Sequence, residues 1–89
     1  MFYTLEEFEV IKSVLKSAKE VSKHITNGLG LNLDEMYTVN EILSYKAIGG
    51  AFLTKPEIII AYKSFLIVRD LYGEDSHTRN VRATLRGHL

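Results

Sequence analysis

The sequence predicts an all-α protein: a compact bundle of about four helices, a single helical domain over residues 1–89, completed by homo-oligomerisation. Apolar residues recur at intervals of three and four, as the buried side of a helix requires. At three predicted helix starts a threonine or asparagine precedes a glutamate by three residues, which is the capping-box pattern. Glycines separate the helical segments, and 46% of the 89 residues are apolar or aromatic, which is enough for a packed core.

The first helix is predicted over residues 4–27. Thr4 and Glu7 have the spacing of a capping box, in which each side chain binds the other residue's backbone amide. Asn27-Gly28 then supplies a left-handed stop. The apolar stripe of this helix consists of Phe8, Ile11, Val14, Leu15, Ala18, Val21 and Ile25.

The second helix is predicted to start at Asn32, with Glu35 three residues further on, and to end at Gly49-Gly50. A four-residue apolar stripe supports it and consists of Met36, Val39, Leu43 and Ala47. Because the glycine pair follows a helical pattern and not a strand, it is interpreted as a helix stop and not as a phosphate-binding loop.

The third helix is predicted to run to Leu71 or Tyr72. Either Thr54 or Lys55 is its cap, since a residue before proline avoids helical dihedrals and Pro56 suits the first helical position. The segment EIIIAYKSFLIV is also rich in residues that favour strands. A helix is preferred because the segment lacks clear alternation and follows a capping box.

The third helix is apolar around most of its circumference, so it must be buried from several directions. In a monomer it would be the central helix of the bundle. In an oligomer its surplus apolar face would join a partner subunit, and self-association is the prediction adopted. The residues assigned to that contact are Ile59, Tyr62, Phe65 and Leu66.

The fourth helix is predicted to start at Asp75 or Ser76 and to run to about Arg86. Its three apolar residues, spaced by four, give it a side that docks on the bundle. They are Val81, Leu85 and Leu89.

Four lysines of the first helix form the first candidate binding site. At 100° per residue they fall within about 60° of one another. Such a stripe can bind an anionic ligand or phosphates. Alternatively it is a solvated face, because acids at the start of a helix and bases towards its end suit the helix dipole. The lysines are Lys12, Lys16, Lys19 and Lys23.

Three arginines of the fourth helix form the second candidate site. Arg79, Arg82 and Arg86 share one side of the helix, and the planar guanidinium group suits phosphate or carboxylate. The alternative is that they pair with acids of the same chain, either Glu74 and Asp75 or those at the start of the first helix.

Several functional classes are disfavoured. With 11 basic and 11 acidic residues the net charge is zero, which is unlike a dedicated duplex-DNA binder. No cysteine is present, and the three histidines lack the spacing of a helical metal site, so no metal, cofactor or catalytic residue is expected. A helix-turn-helix over residues 40–48 and 55–72 would present apolar side chains to the bases, which argues against one.

Membrane association is also not expected. The longest apolar stretch, residues 58–68, is interrupted by Lys63 and is too short to span a bilayer. The start MFYTLEEFEV lacks the plan of a signal peptide, so a cytoplasmic location is expected.

These observations predict a small non-enzymatic regulator or inhibitor, of the kind that viruses and mobile elements encode. We expect it to self-associate and to sequester a host or partner protein, or an anionic nucleotide-like ligand, through the lysine and arginine side chains. The alternative is a nucleic-acid-binding protein that uses the lysine stripe and the arginine triplet together.

Overall fold

Four helices form most of the chain in the computed structural model, which describes residues 1–25 and 27–89. They are α1 (Leu5–Ser22), α2 (Leu33–Leu43), α3 (Lys55–Tyr72) and α4 (Ser76–Gly87). This confirms a mostly helical bundle, but the all-α prediction missed a small antiparallel sheet of β1 (Phe2–Thr4) and β2 (Gly50–Phe52). None of the helices in these residues is both long and apolar enough to cross a bilayer.

The start of α1 was predicted correctly and its end was not. The Glu7 amide donates to Thr4 Oγ1 at 3.1 Å, and the Thr4 amide donates to Glu7 Oε1 at 2.9 Å. The helix ends at Ser22 and not at residue 27, because the buried Ser22 hydroxyl accepts the Leu31 amide at 2.9 Å and ties the returning chain to it. Gly28 has the predicted positive φ, but it lies in the loop. Residue 26 of the predicted helix lies outside the described residues.

The second helix likewise starts as predicted and ends early. The Glu35 amide donates to Asn32 Oδ1 at 2.8 Å, which completes the capping box. The helix stops at Leu43, where the hydroxyl of the capping Ser44 donates to a carbonyl oxygen of the last turn at 2.7 Å. The glycine pair predicted to end it lies further on, and Gly50 belongs to β2.

The sheet joins the start of the chain to the segment before α3. Phe2 pairs with Phe52, Tyr3 with Ala51 and Thr4 with Gly50. A Cβ on Gly50 would lie 2.4 Å from the Tyr3 carbonyl oxygen, so the strands can approach this closely only with glycine there. Strands of three residues are too short to show alternation in the sequence, which is why the sheet was not predicted.

The third element is a helix, as predicted, and like α1 it contacts each of the other three helices. Thr54 is its cap and Pro56 lies in its first turn, which resolves the predicted choice between Thr54 and Lys55. The Thr54 amide donates to Glu57 Oε1 at 2.8 Å. Since α3 contacts α1, α2 and α4, most of its apolar circumference is covered within one chain.

The fourth helix closes the core with two of its three predicted docking residues. Val81 and Leu85 are buried, whereas Leu89 follows the helix and is half exposed. His77 Nε2 lies 3.6 Å from Glu6 Oε1, so α4 packs beside the first turn of α1.

Candidate functional site

Three of the predicted lysines line one open groove on α1. The groove has a volume of about 510 Å³. Lys12, Lys16 and Lys19 lie along it, and Leu43 of α2 forms its apolar wall. Lys12 and Lys19 are half-buried, and Lys12 Nζ lies 5.6 Å from the centroid of the Phe8 ring. The aliphatic stems of these lysines therefore pack on the protein while their ammonium groups reach water.

The groove has an excess of positive charge. Lys23, the fourth lysine of the stripe, is paired with Glu20 at 3.2 Å. Lys12, Lys16 and Lys19 form no ion pair with any residue that the structure describes. Glu9 and Glu20 also line the groove, but Glu20 is the partner of Lys23, so Glu9 carries the one opposing charge that is not already paired. Three unpaired ammonium groups beside one unpaired carboxylate are suited to an anionic partner.

A second, smaller groove adjoins the first along α1. It has a volume of about 400 Å³, and Lys16 and Glu20 line both grooves. Tyr72, at the end of α3, lies at its side and is 69% exposed. Nothing in the sequence places Tyr72 beside α1, since its position depends on how α3 packs against that helix.

The arginine triplet does not act as one surface. Arg82 Nη2 donates to Glu74 Oε1 at 2.8 Å and Arg82 Nε donates to Glu74 Oε2 at 3.0 Å, with only 16% and 11% of the two side chains exposed. Arg79 and Arg86 are exposed and have no ion-pair partner in residues 1–25 and 27–89. Arg82 therefore pairs with an acid of its own chain, which was the alternative interpretation of the triplet. Only Arg79 and Arg86 remain available to a partner.

The Arg82–Glu74 pair makes the stability of the fold depend on pH. Hydrogen bonds from Arg82 lower the pKa of Glu74 below its ordinary value of 4.5. A carboxylate whose pKa is lower in the folded than in the unfolded state stabilises the fold at pH values above its pKa in the unfolded chain. That contribution is lost as the pH falls through the lowered folded pKa.

We expect Arg82→Gln to lower the free energy of unfolding at neutral pH by about 2 kcal/mol, because Glu74 is left largely buried without its partner. Urea denaturation followed by circular dichroism measures this, with Arg86→Gln as the exposed control. The difference between Arg82→Gln and the wild type should shrink below pH 4.5, as Glu74 becomes protonated. Equal losses in the two variants would contradict a structural role for Arg82.

The predicted self-association residues divide between surface and core. Ile59 is 51% exposed, and Tyr62 and Leu66 are half-buried on the same side of α3. Phe65 is only 1% exposed and belongs to the core of its own chain, so its assignment to a subunit contact was wrong. The sequence shows that α3 is apolar around most of its circumference, but it does not show that α1 covers the side that carries Phe65.

The remaining polar contacts connect elements of the chain. Lys63 Nζ donates to both carboxylate oxygens of Glu35, at 2.7 and 2.9 Å. Burial would raise the pKa of Glu35, but the hydrogen bonds from Lys63 and from the Asn32 amide lower it overall.

Tyr3 Oη lies 2.6 Å from His88 Nδ1, and burial raises the pKa of Tyr3 to about 12. Within the described chain, no three histidine, aspartate or glutamate side chains converge as a metal site.

Comparisons of the chain with protein-family models, with curated proteins and with solved structures found no match. Its function is therefore inferred from two surfaces: the lysine groove of α1, defined by Lys12, Lys16, Lys19 and Leu43, and the exposed side of α3.

Proposed function

We propose that this chain is a non-enzymatic binding protein that self-associates through α3 and holds an acidic segment of a partner protein in the lysine groove. The observation that supports this most is the set of unpaired ammonium groups on Lys12, Lys16 and Lys19. They extend over about 10 Å of helix, since each residue adds about 1.5 Å. A row of this length matches several carboxylates on one side of a helical or extended segment.

A protein segment suits the groove better than a nucleotide or a nucleic acid. The groove is open, and Leu43 and the lysine stems offer apolar surface beside the charges. A phosphate backbone would gain nothing from contact with Leu43, whereas the repulsion by Glu9 acts on any anionic partner. An acidic segment with an apolar residue among its acids satisfies both features.

The nucleic-acid alternative loses part of its support. It needs the lysines and the arginines to act together, yet neither the lysine groove nor the smaller groove beside it is lined by an arginine of α4. Arg82 is held by Glu74, and α4 packs against the acidic first turn of α1 through His77 and Glu6.

The proposal predicts that Lys12→Gln, Lys16→Gln and Lys19→Gln together weaken binding of a fluorescein-labelled peptide rich in glutamate with interspersed leucine. The expected loss at low salt is roughly tenfold or more, because three charge pairs of about 0.5–1 kcal/mol each disappear. Fluorescence anisotropy measures it. The control variant carries Lys46→Gln, Arg79→Gln and Arg86→Gln, which removes the same charge from exposed positions elsewhere.

Three outcomes would overturn the proposed ligand class. The wild type fails to bind the peptide, or the control variant loses as much affinity as the groove variant. Alternatively, ATP or a short DNA duplex binds more tightly than the peptide, in which case a steep salt dependence would identify phosphate contacts.

A further inference from the structure

A row of five side chains runs along one side of α3, where three of them are exposed and two are half-buried. We call it the α3 stripe. At 100° per residue its members fall within about 80° of one another. Three apolar or aromatic residues form its middle, and a cation and an acid form its two ends. In order, the stripe consists of Lys55, Ile59, Tyr62, Leu66 and Asp70.

The charges at the ends of the stripe are unfavourable for α3 itself. The N-terminal end of a helix favours acids and the C-terminal end favours bases. Lys55 is the first residue of α3 and Asp70 lies in its last turn, so each has the wrong sign for its position. Lys55 has no ion-pair partner within the described residues, and the one ion pair of Asp70 among them is with its neighbour Arg69, at 3.3 Å. A second helix of opposite direction would reverse both effects.

We propose that α3 packs antiparallel against α3 of a second copy, across a two-fold axis between Tyr62 and Lys63. Lys55 lies as far before this midpoint as Asp70 lies after it, so Lys55 faces the partner's Asp70. By the same symmetry Ile59 faces the partner's Leu66. A two-fold contact makes every pair twice. The inference rests on the proposed self-association and specifies its surface, direction and register.

A parallel arrangement of the two helices is much less favourable. It would place Lys55 against the partner's Lys55 and Asp70 against the partner's Asp70, which are repulsive pairs. The antiparallel arrangement also brings each misplaced charge to the end of the partner helix that attracts it. Lys63, at the midpoint, does not oppose this contact, because Glu35 of its own chain neutralises it at 2.7 Å.

Charge exchange tests the pairing of the stripe ends. In sedimentation equilibrium, Lys55→Asp and Asp70→Lys should each raise the dimer dissociation constant by roughly tenfold, since each disrupts two symmetric pairs. The double variant should recover the wild-type value. Neither change harms the fold, because both charges then suit the dipole of α3. Lys46→Asp and Glu41→Lys, at exposed positions outside the stripe, are the matched controls and should have no effect.

Cysteine cross-linking tests the register. The natural chain has no cysteine, so introduced thiols react only with each other. A mixture of Ile59→Cys and Leu66→Cys chains should form a disulfide-linked heterodimer under mild oxidation. Neither variant alone should cross-link, because two Ile59 positions would stand about 10 Å apart along the axis. Non-reducing electrophoresis distinguishes these results.

The outcomes separate this inference from the proposed function. If the wild type sediments as the 10.1 kDa monomer at high micromolar concentration, self-association is wrong and this contact with it. If the protein is a dimer but Ile59→Cys chains cross-link with one another, the antiparallel register is wrong and self-association stands. A dimer that is insensitive to the charge exchange and the cysteine pair excludes the α3 stripe and leaves self-association to another surface.

Discussion

Phe65→Ala is expected to lower the free energy of unfolding by about 3–5 kcal/mol, which is the range measured for removing a large aromatic side chain from a core. Phe65 is 1% exposed and lies in the cluster that joins α3 to α1. A domain of this size has only about 5–13 kcal/mol of stability, so the variant should be substantially destabilised. Urea denaturation followed by circular dichroism gives the value.

Ile59→Ala is the matched control, because Ile59 lies on the same helix with half of its surface in water. Its unfolding free energy should change by no more than about 1 kcal/mol. Its dimer dissociation constant should rise, since the partner's Leu66 loses its contact. If Phe65→Ala instead weakened the dimer and left the unfolding free energy unchanged, α3 would have to be rotated about its axis relative to the structure.

Gly50→Ala is expected to cost about 3 kcal/mol of stability, because two independent effects act at this position. Its φ of +148° is a conformation that residues with a side chain rarely adopt. In addition, the new Cβ would lie 2.4 Å from the Tyr3 carbonyl oxygen, so β1 and β2 must move apart. The buried Tyr3 would then lose part of its packing.

Gly49→Ala separates these two effects. Gly49 has a φ of +78°, but a Cβ there meets no atom within 4 Å. Its substitution should therefore cost only the conformational penalty, about 1–2 kcal/mol. Hydrogen exchange of the Leu53 amide, which donates to the Met1 carbonyl oxygen at 2.9 Å, reports whether the strands have separated. If Gly50→Ala and Gly49→Ala lowered the free energy of unfolding equally, and the exchange rate of the Leu53 amide did not change, the close approach of the two strands would contribute little to stability.

The candidate site was predictable only where helical spacing alone defines it. Lys12, Lys16 and Lys19 share a side because their spacing matches the helical period, and the structure places them in one groove. The same period grouped Arg82 with Arg79 and Arg86. The contact between Arg82 and Glu74 depends instead on the turn at Gly73, which sets how α4 returns against α3.

The starts of α1, α2 and α3 can be recognised in the sequence to within a residue, since each of their capping boxes involves residues three apart and forms whatever the rest of the chain does. The end of α1 and the pairing of Gly50 depend on tertiary contacts, because Ser22 binds the Leu31 amide of the returning chain and Gly50 pairs with Thr4 at the other end of the sequence. The tertiary structure also decided which side of α3 is covered, and so removed Phe65 from the surface. Short-range hydrogen bonds and helical period can be recognised in a sequence, whereas burial and pairing between distant residues exist only after the elements have packed.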